Sequence, residues 1–163
     1  MLRIIKHLLT PDWWARKPFG SAVLARIEAA VAQSEQQHRG ELRFALEADL
    51  DPRALLKGIT PRQRAIDVFS QLRVWDTEEN SGVLIYVQLI DRDIEIVADR
   101  GINARVAQAE WEAICQRMEN EFRAGRFEAG ALAGIDEVTA LLARHFPARE
   151  ANPNELSDKP VVL

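Results

Sequence analysis

Oxygen-bearing side chains crowd the segment that precedes the most apolar stretch of the chain. "DTEENSG" occupies positions 76–82, and "VLIYVQL" follows it directly. Three acids and one amide supply the oxygens: Asp76, Glu78, Glu79 and Asn80. Calcium and magnesium prefer such ligands. An EF-hand loop is excluded, because its sixth and twelfth positions would be Ser81 and Val87 instead of glycine and glutamate. The segment predicts a divalent cation site of another kind or a solvated turn.

Asp99 and Arg100 are expected to join this segment in space. Only "IDRD" separates the apolar run 82–89 from the alternating run 93–98. That connection is too short for a parallel crossover, so the two strands must form an antiparallel hairpin. The start of the first strand then lies beside the end of the second. Asp99 completes the predicted set of metal ligands, with calcium as the expected ion.

The same residues admit two other interpretations. Phosphomonoester hydrolysis needs a nucleophile or metal ions together with a cation for the phosphate charge, and Asp99 and Arg100 are the nearest candidates for these roles. No DxDx[TV] motif, glycine-rich phosphate loop or nearby histidine accompanies them. In a purely structural interpretation, Asp76 and Asn80 shape a turn, Gly82 supplies an unusual backbone angle, and Asp99 pairs with Arg100 across the hairpin.

Other chemically versatile residues are predicted to be structural. Cys115 is the single cysteine, which excludes an internal disulfide and a cysteine-rich zinc site. Cys115 and Trp111 fall on the apolar stripe of a helix and are expected in the core. Arg39 and Arg43 flank a strand and are expected to contact solvent or glutamates. Ser81 has no evident base partner. The histidines are predicted to be surface or capping residues: His7, His38 and His145.

Composition indicates one globular domain. The chain has 163 residues, of which 47% are apolar and 28% charged, with a formal charge of −4. This balance provides a sizeable core but no broad positive field for a nucleic acid backbone, so nucleic acid is not an expected partner. A single cysteine fits a reducing compartment, and a cytoplasmic location is expected.

The amino-terminal segment "MLRIIKHLLTPDWW" has no signal-peptide pattern, because charges interrupt its apolar run and no small-residue cleavage site follows. No run of about 18 apolar residues predicts a transmembrane helix. Trp13 and Trp14 stand beside Arg16 and Lys17. This grouping predicts either an anchor at a membrane surface or a segment whose indoles cover the edge of the core.

Periodicity predicts the elements that position these residues. A helix is expected over 21–37 with Ser21 as its N-cap, and a half-buried strand over "ELRFALE" at 41–47. Thr60, Pro61 and Gln63 predict a capping box and a helix to about residue 73. Two amphipathic helices separated by Gly125 follow, with these inward residues: Trp111, Ile114, Cys115, Met118, Phe122, Leu132, Ile135, Val138, Leu142 and Phe146.

This order of elements predicts a three-layer α/β/α sandwich. The central mixed sheet would contain the antiparallel hairpin 82–89 with 93–98 and a right-handed parallel crossover from 41–47 to 82–89. We expect an amino-terminal arm over 1–19, an α/β domain over 20–147 and a flexible carboxy-terminal tail over 148–163.

Several segments resemble the TPM domain, a family named for a thylakoid lumen protein, a photosystem II repair protein and a nematode receptor modulator. The resemblance covers about residues 20–147. It rests on "GELRFALE", on "LRVWDTEENSGVLIYVQLIDRDIEIVADRGI" with the tryptophan helix that follows, and on "GRFEAGALAGIDEVTALLARHFP". "NSGVLIYV" followed by "IEIVADRGI" is the most specific part.

The resemblance implies an α/β/α sandwich and offers two functions. Some members of the family are described as binding calcium or as weak acid phosphatases, and others assist the assembly or repair of membrane proteins. A noncatalytic binding or assembly-assisting module, with calcium at the acidic sheet edge and an unidentified, membrane-associated protein partner, is therefore expected. A metal-assisted acid phosphatase is the alternative.

Overall fold

A four-stranded mixed sheet forms the centre of the molecule. The computed structural model describes residues 2–149 and 153–163, with the side chains of Leu2, Arg3 and Leu8 excepted. The strands have the spatial order β3-β2-β1-β4. Their bounds are Glu41–Glu47 (β1), Gly82–Gln88 (β2), Asp93–Ala98 (β3) and Val161–Val162 (β4).

Eight α-helices and one short 3₁₀ helix, Lys17–Phe19, accompany the sheet in the described residues. The α-helices are Leu2–Leu9 (α1), Asp12–Arg16 (α2), Ser21–Glu35 (α3), Pro52–Leu56 (α4), Pro61–Gln71 (α5), Arg100–Asn103 (α6), Gln108–Arg123 (α7) and Phe127–His145 (α8). The short helices α4 and α6 were not predicted, although Asp51 and Asp99 are typical N-cap residues.

The predicted strand pairings are confirmed. β1 and β2 are parallel, with Glu41 opposite Gly82 and Glu47 opposite Gln88. β2 and β3 are antiparallel, with Val83 opposite Ala98. The starts of β1 and β2 and the end of β3 therefore lie side by side, at the same end of the sheet.

Helices cover both faces of this sheet, as the predicted sandwich requires. The larger apolar cluster joins α3, α7 and α8 to one face, including Leu42, Ile85, Ile114 and Ile135. A smaller cluster, which includes Val68, Leu84 and Val97, packs α5 against the other face. Trp111 is buried in the larger cluster, as predicted.

Strand β1 is fully buried, which corrects the prediction of a half-buried strand. Its alternating charged residues Glu41, Arg43 and Glu47 look solvent-facing in the sequence but are covered in the structure. Arg64 of α5 makes a bidentate contact with Glu47, with Nε 2.9 Å from Oε2. The two Glu41 carboxylate oxygens accept the N–H groups at positions 155 and 156. Contacts from distant segments thus compensate for the burial of these charges.

The capping box at α5 is confirmed, because the Gln63 N–H donates to Thr60 Oγ1 and the Thr60 N–H donates to Gln63 Oε1. Gly125 separates α7 from α8 with a φ of 78°. The N-cap of α3 is Gly20, however, and Ser21 is the first helical residue, without a side-chain cap.

The carboxy-terminal segment contributes a strand that was not predicted. β4 pairs in parallel with β1 through Ala45–Val161 and Leu46–Val162. "PVVL" is too short for period-two alternation to stand out from a loop. Residues 150–152 of the predicted tail and Met1 of the predicted arm lie outside the described residues.

Candidate functional site

The hairpin brings the two polar segments together as expected. The Asp99 N–H donates to the Gly82 carbonyl at 2.8 Å, and the Gly101 N–H donates to the Asn80 carbonyl at 2.9 Å. We call residues 76–81 and 99–101 the acidic junction. It lies at the amino end of the parallel pair β1/β2, because residue 81 immediately precedes β2.

Backbone packing at the acidic junction is tight. Asn80 adopts a φ of 53°, in the left-handed region that asparagine tolerates better than most residues. A Cβ at Gly101 would lie 2.4 Å from the Glu79 carbonyl oxygen and 2.6 Å from that of Asn80. Gly82 does not have the unusual backbone angle predicted for it. A Cβ at Gly82 would instead lie 1.9 Å from the Val74 carbonyl oxygen, so close approach requires glycine there.

Asp99 has one occupied and one open carboxylate oxygen. Its Oδ1 accepts the Arg100 N–H at 2.7 Å and caps the short helix α6. Its Oδ2 is buried and accepts no hydrogen bond from the described residues. Buried carboxylate oxygens nearly always have a partner, so Oδ2 is a place where an ion or a water would be stabilised.

Arginine side chains already contact two of the other predicted ligands of the acidic junction. The Arg73 guanidinium lies 2.8 Å from Asp76 Oδ2, and the Arg100 Nε lies 3.0 Å from Asn80 Oδ1. The structural interpretation had instead paired Asp99 with Arg100 across the hairpin, whereas the cross-hairpin partner of Arg100 is Asn80.

Glu79 is the most enclosed acid of the turn. Its Oε2 accepts from Arg39 Nε at 2.6 Å, and its Oε1 lies 3.5 Å from Arg149 Nη1. The contact of Arg39 with a glutamate was predicted, but Arg149 was not connected with the junction. Glu78 is exposed, and its N–H donates to Glu155 Oε2 at 2.9 Å.

The predicted metal ligands therefore divide into two groups. In the first group, the hairpin brings the segment of Asn80 into contact with the segment of Asp99, and the Glu79 carbonyl lies beside them. Asp76 and Glu78 are exposed. Among residues 2–149 and 153–163, no three histidine, cysteine or acidic side chains are grouped closely enough to hold a metal by themselves. A cation at the acidic junction would thus need backbone carbonyls or water among its ligands.

The histidines are not positioned beside Asp99. His7 and His38 are buried, which corrects their prediction as surface or cap residues. His38 Nδ1 lies 2.9 Å from the Gly40 carbonyl, and its Nε2 lies 2.7 Å from Ser34 Oγ, which in turn contacts Thr139. Burial lowers the pKa of His38 to about 4, so the imidazole is neutral and structural at pH 7.

Three further expectations concern single residues. Ser81 is buried, and neither a base nor any other group of the described residues bonds its Oγ. Burial raises the pKa of the Cys115 thiol to about 12, which makes it unreactive at neutral pH. Arg43 is buried, and its guanidinium is attracted by the nearby charges of Asp158, Glu35 and Glu41.

The opposite, carboxyl end of β1 and β2 carries a second feature. A cavity of about 830 Å³ lies there, between the amino-terminal segment and the turn that connects β2 to β3. Open α/β sheets usually bind ligands at the carboxyl ends of parallel strands. The acidic junction lies at the other end, so that rule does not support it.

The amino-terminal tryptophans are more exposed than buried, and Trp14 also lines the cavity at the carboxyl ends of the strands. Trp13 is 72% exposed and Trp14 is 57% exposed. None of the helices in the described part of the chain combines the length and the hydropathy needed to cross a bilayer.

Comparison with known proteins agrees with this architecture. The solution structure of protein BA42 from the psychrophilic bacterium Bizionia argentinensis is 29% identical, with a TM-score of 0.77 over 88% of this chain and 94% of that one. The amino-terminal domain of a P. gingivalis protein shares the fold, with a TM-score of 0.61 at 18% identity over 80% of this chain and 82% of that one. Among curated proteins, none matches the chain. The family model of the TPM domain matches residues 19–141. The chain therefore belongs to the TPM domain family.

Proposed function

We propose that the chain is a noncatalytic binding module that takes a divalent cation, calcium, at the acidic junction. The observation that carries this proposal is the buried Oδ2 of Asp99, which no described group satisfies. A carboxylate oxygen held rigidly by a helix cap and left without a donor favours a cation in its place.

The surroundings of Asp99 supply oxygens of the types that calcium accepts. The carbonyls of Glu79 and Asn80 crowd Gly101, two residues beyond Asp99. Calcium takes about six to eight oxygens in flexible geometry, and carbonyls and water complete such shells. The Glu79 carboxylate would add a second charge only by leaving Arg39 and Arg149. Asp76 and Glu78 would contribute through their charge from the exposed side of the turn.

The contacts at the junction favour binding over catalysis. Asp99 would act as a phosphatase nucleophile through a free, accessible oxygen, but Oδ1 caps a helix and Oδ2 is buried. Arg100, the proposed phosphate clamp, is bonded to Asn80. Acid phosphatase activity therefore remains the alternative, without an observation that favours it.

The partner that such a module serves is proposed to be a protein in the cytoplasm. Support for the location comes from the single, half-buried Cys115, whose raised pKa keeps it a thiol without need of a partner cysteine. Support for a protein partner comes from membership of a family in which some members assist protein assembly.

A calcium titration of thermal stability tests the cation. Calcium at about 100 times its dissociation constant adds about 2.7 kcal/mol to the free energy of unfolding. For a protein of this size, that corresponds to a rise in Tm of roughly 5–10 °C. Asp99→Asn should abolish the rise. Asp51→Asn is the matched control, because Asp51 Oδ1 also caps a short helix, at 2.7 Å from the Arg53 N–H, in another part of the molecule.

Two results would contradict the proposal. One is an unchanged Tm in saturating calcium, which would leave the junction a purely structural turn. The other is a calcium-dependent rise that Asp99→Asn and Asp51→Asn reduce equally. Turnover of p-nitrophenyl phosphate that Asp99→Asn removes and Asp51→Asn preserves would establish the phosphatase instead.

A further inference from the structure

The cavity at the carboxyl ends of β1 and β2 is basic as well as apolar. Its volume is about 830 Å³, and the residues that matter to its chemistry are Lys6, Trp14, Lys17, Leu89, Ile90 and Arg92. No acidic side chain lines it within the described part of the chain. Three cations around apolar walls form a site for an amphipathic anion, although the protein as a whole carries a formal charge of −4.

Two acids that are close in sequence to lining residues already have partners. Asp12 lies 3.7 Å from the Arg16 guanidinium, and Asp91 lies 3.2 Å from His7 Nε2. Within residues 2–149 and 153–163, no acidic side chain forms an ion pair with the three lining cations, so their field is directed to solvent at the mouth of the cavity.

Large apolar side chains continue outward from the cavity. Ile5 and Leu9 are exposed one helical turn apart on α1, opposite the buried His7. Trp14 reaches from the cavity wall to solvent, and Trp13 beside it is more exposed still. Four large exposed apolar side chains within ten residues are more than the scattered single hydrophobics of an ordinary protein surface.

The segment that carries these side chains is held in a fixed orientation. His7 Nδ1 accepts the Leu50 N–H at 3.1 Å, which attaches α1 to the residues that follow β1. The Arg16 guanidinium donates to the Leu163 carbonyl at 2.8 Å, which attaches α2 to the residue after β4. Trp14 and the three cations are therefore presented together around the cavity, and Trp13 adjoins Trp14 in the chain.

We propose that this surface, the basic face (Ile5, Lys6, Leu9, Trp13, Trp14, Lys17 and Arg92), binds the surface of an anionic phospholipid bilayer. Indole rings favour the boundary between headgroups and acyl chains, and lysine and arginine are attracted to anionic lipids. The cavity between them has room for a lipid phosphate, which the three cations would contact. Charge complementarity and the paired tryptophans favour a bilayer over a protein partner.

Flotation of the purified full-length chain with vesicles tests this proposal. Vesicles of phosphatidylcholine mixed with phosphatidylglycerol should retain the protein at low salt, and vesicles of phosphatidylcholine alone should not. Raising the salt concentration should release it, because screening weakens the attraction. Both arms are run with EDTA, so that the result does not depend on the proposed calcium site, and Asp99→Asn should be retained like the natural chain.

A matched pair of double variants locates the contact. Trp14→Ser with Arg92→Gln should lower vesicle partitioning roughly tenfold, from the loss of one interfacial cation and one indole. Trp75→Ser with Arg73→Gln should leave it unchanged. Each pair removes one exposed tryptophan and one arginine with positive φ, 56° at Arg92 and 53° at Arg73. An unchanged Tm in both pairs shows that folding is intact.

Three results overturn the proposal. They are an absence of retention on the anionic vesicles at low salt, equal retention on neutral vesicles, and equal weakening by the two double variants. Binding of a purified protein partner that Trp14→Ser with Arg92→Gln abolishes, in the absence of vesicle retention, would assign the basic face to that protein instead.

Discussion

The Arg39 Nε lies 2.6 Å from Glu79 Oε2, so the most enclosed carboxylate of the acidic junction is bound to a cation that the chain itself supplies. Arg39 also stacks over the Phe146 ring, with its guanidinium carbon 5.5 Å from the ring centroid. The ion pair connects the segment just before β1 to the turn before β2. Arg39 therefore competes with any external cation for the Glu79 carboxylate.

Replacing Arg39 is expected to strengthen calcium binding. Arg39→Gln leaves the Glu79 carboxylate only its longer, 3.5 Å contact with Arg149. An ion pair close to the surface is worth up to about 1 kcal/mol, so the calcium affinity should rise about fivefold. The change is measured from the calcium dependence of Tm. Arg117→Gln is the control: it removes an exposed ion pair between Arg117 on α7 and Glu137 on α8, and it should not alter the affinity. An affinity that does not rise in Arg39→Gln would mean that Glu79 is not a ligand.

The contact of Arg64 with Glu47 is predicted to be a major contribution to stability. Glu47 is buried and also accepts the hydroxyl of Tyr86, whose pKa burial raises. Glu47→Ala leaves a guanidinium and a hydroxyl without their acceptor, and breaking a buried pair costs about 3–5 kcal/mol. Urea unfolding measures this loss. A loss below about 1 kcal/mol, the value of an exposed pair, would show that water reaches the site.

The buried His38 is predicted to make the free energy of unfolding decrease at acidic pH. Its pKa is lowered to about 4 in the folded chain from an ordinary value of 6.5, so the unfolded chain binds more protons between those two pH values. The free energy of unfolding should therefore decrease as the pH falls from about 6.5 to about 4, by about 3 kcal/mol. His38→Gln should flatten the pH dependence of Tm in this range, and an unaltered slope would contradict the buried neutral imidazole.

Glu35 should act in the opposite direction at higher pH. Burial, together with Glu41 and Asp158, raises its pKa to about 9, while the buried Arg43 on β1 also faces the group. A raised folded pKa gives stability that is complete below about 4.5 and is lost as the pH rises through 9. Glu35→Gln keeps the neutral form at every pH. Its Tm should fall less than that of the natural chain between pH 7 and 9, and a parallel fall in both would contradict the assignment.

His7 is predicted to fix the amino-terminal segment. His7→Ala leaves the buried Leu50 N–H without its acceptor, and such a loss costs about 1–3 kcal/mol. Hydrogen exchange should show faster exchange in α1 and α2, with little change in α7. Replacement of the half-buried His145 by alanine should not accelerate exchange in α1. Unchanged protection of α1 in His7→Ala would mean that other contacts hold the segment.

Local patterns predicted the framework of the molecule because they depend on near neighbours in the chain. Four residues, "LIDR", connect β2 to β3 and leave an antiparallel hairpin as the only arrangement, and Thr60 with Gln63 defines the start of α5. The proximity of Asp99 to the turn before β2 follows from that hairpin alone. These predictions are confirmed.

Contacts between distant segments explain what the patterns did not predict. Glu41 and Glu47 alternate with apolar residues as on an exposed face, but α5 and the segment after residue 153 cover them. The burial of His7 depends on Leu50 and Asp91, which no periodicity connects with it. The neutralisation of Glu79 by Arg149 likewise joins residues 70 positions apart.

The two-residue strand β4 has a consequence for how copies of the chain behave together. Without it, the backbone groups of Ala45 and Leu46 that now face β4 would be open on an unpaired strand edge. Such an edge is a template for intermolecular strand addition and aggregation. The opposite edge strand, β3, carries the charged Asp93 and Glu95, which discourage pairing with another chain. A few residues after position 160 therefore protect the colloidal stability of the whole molecule.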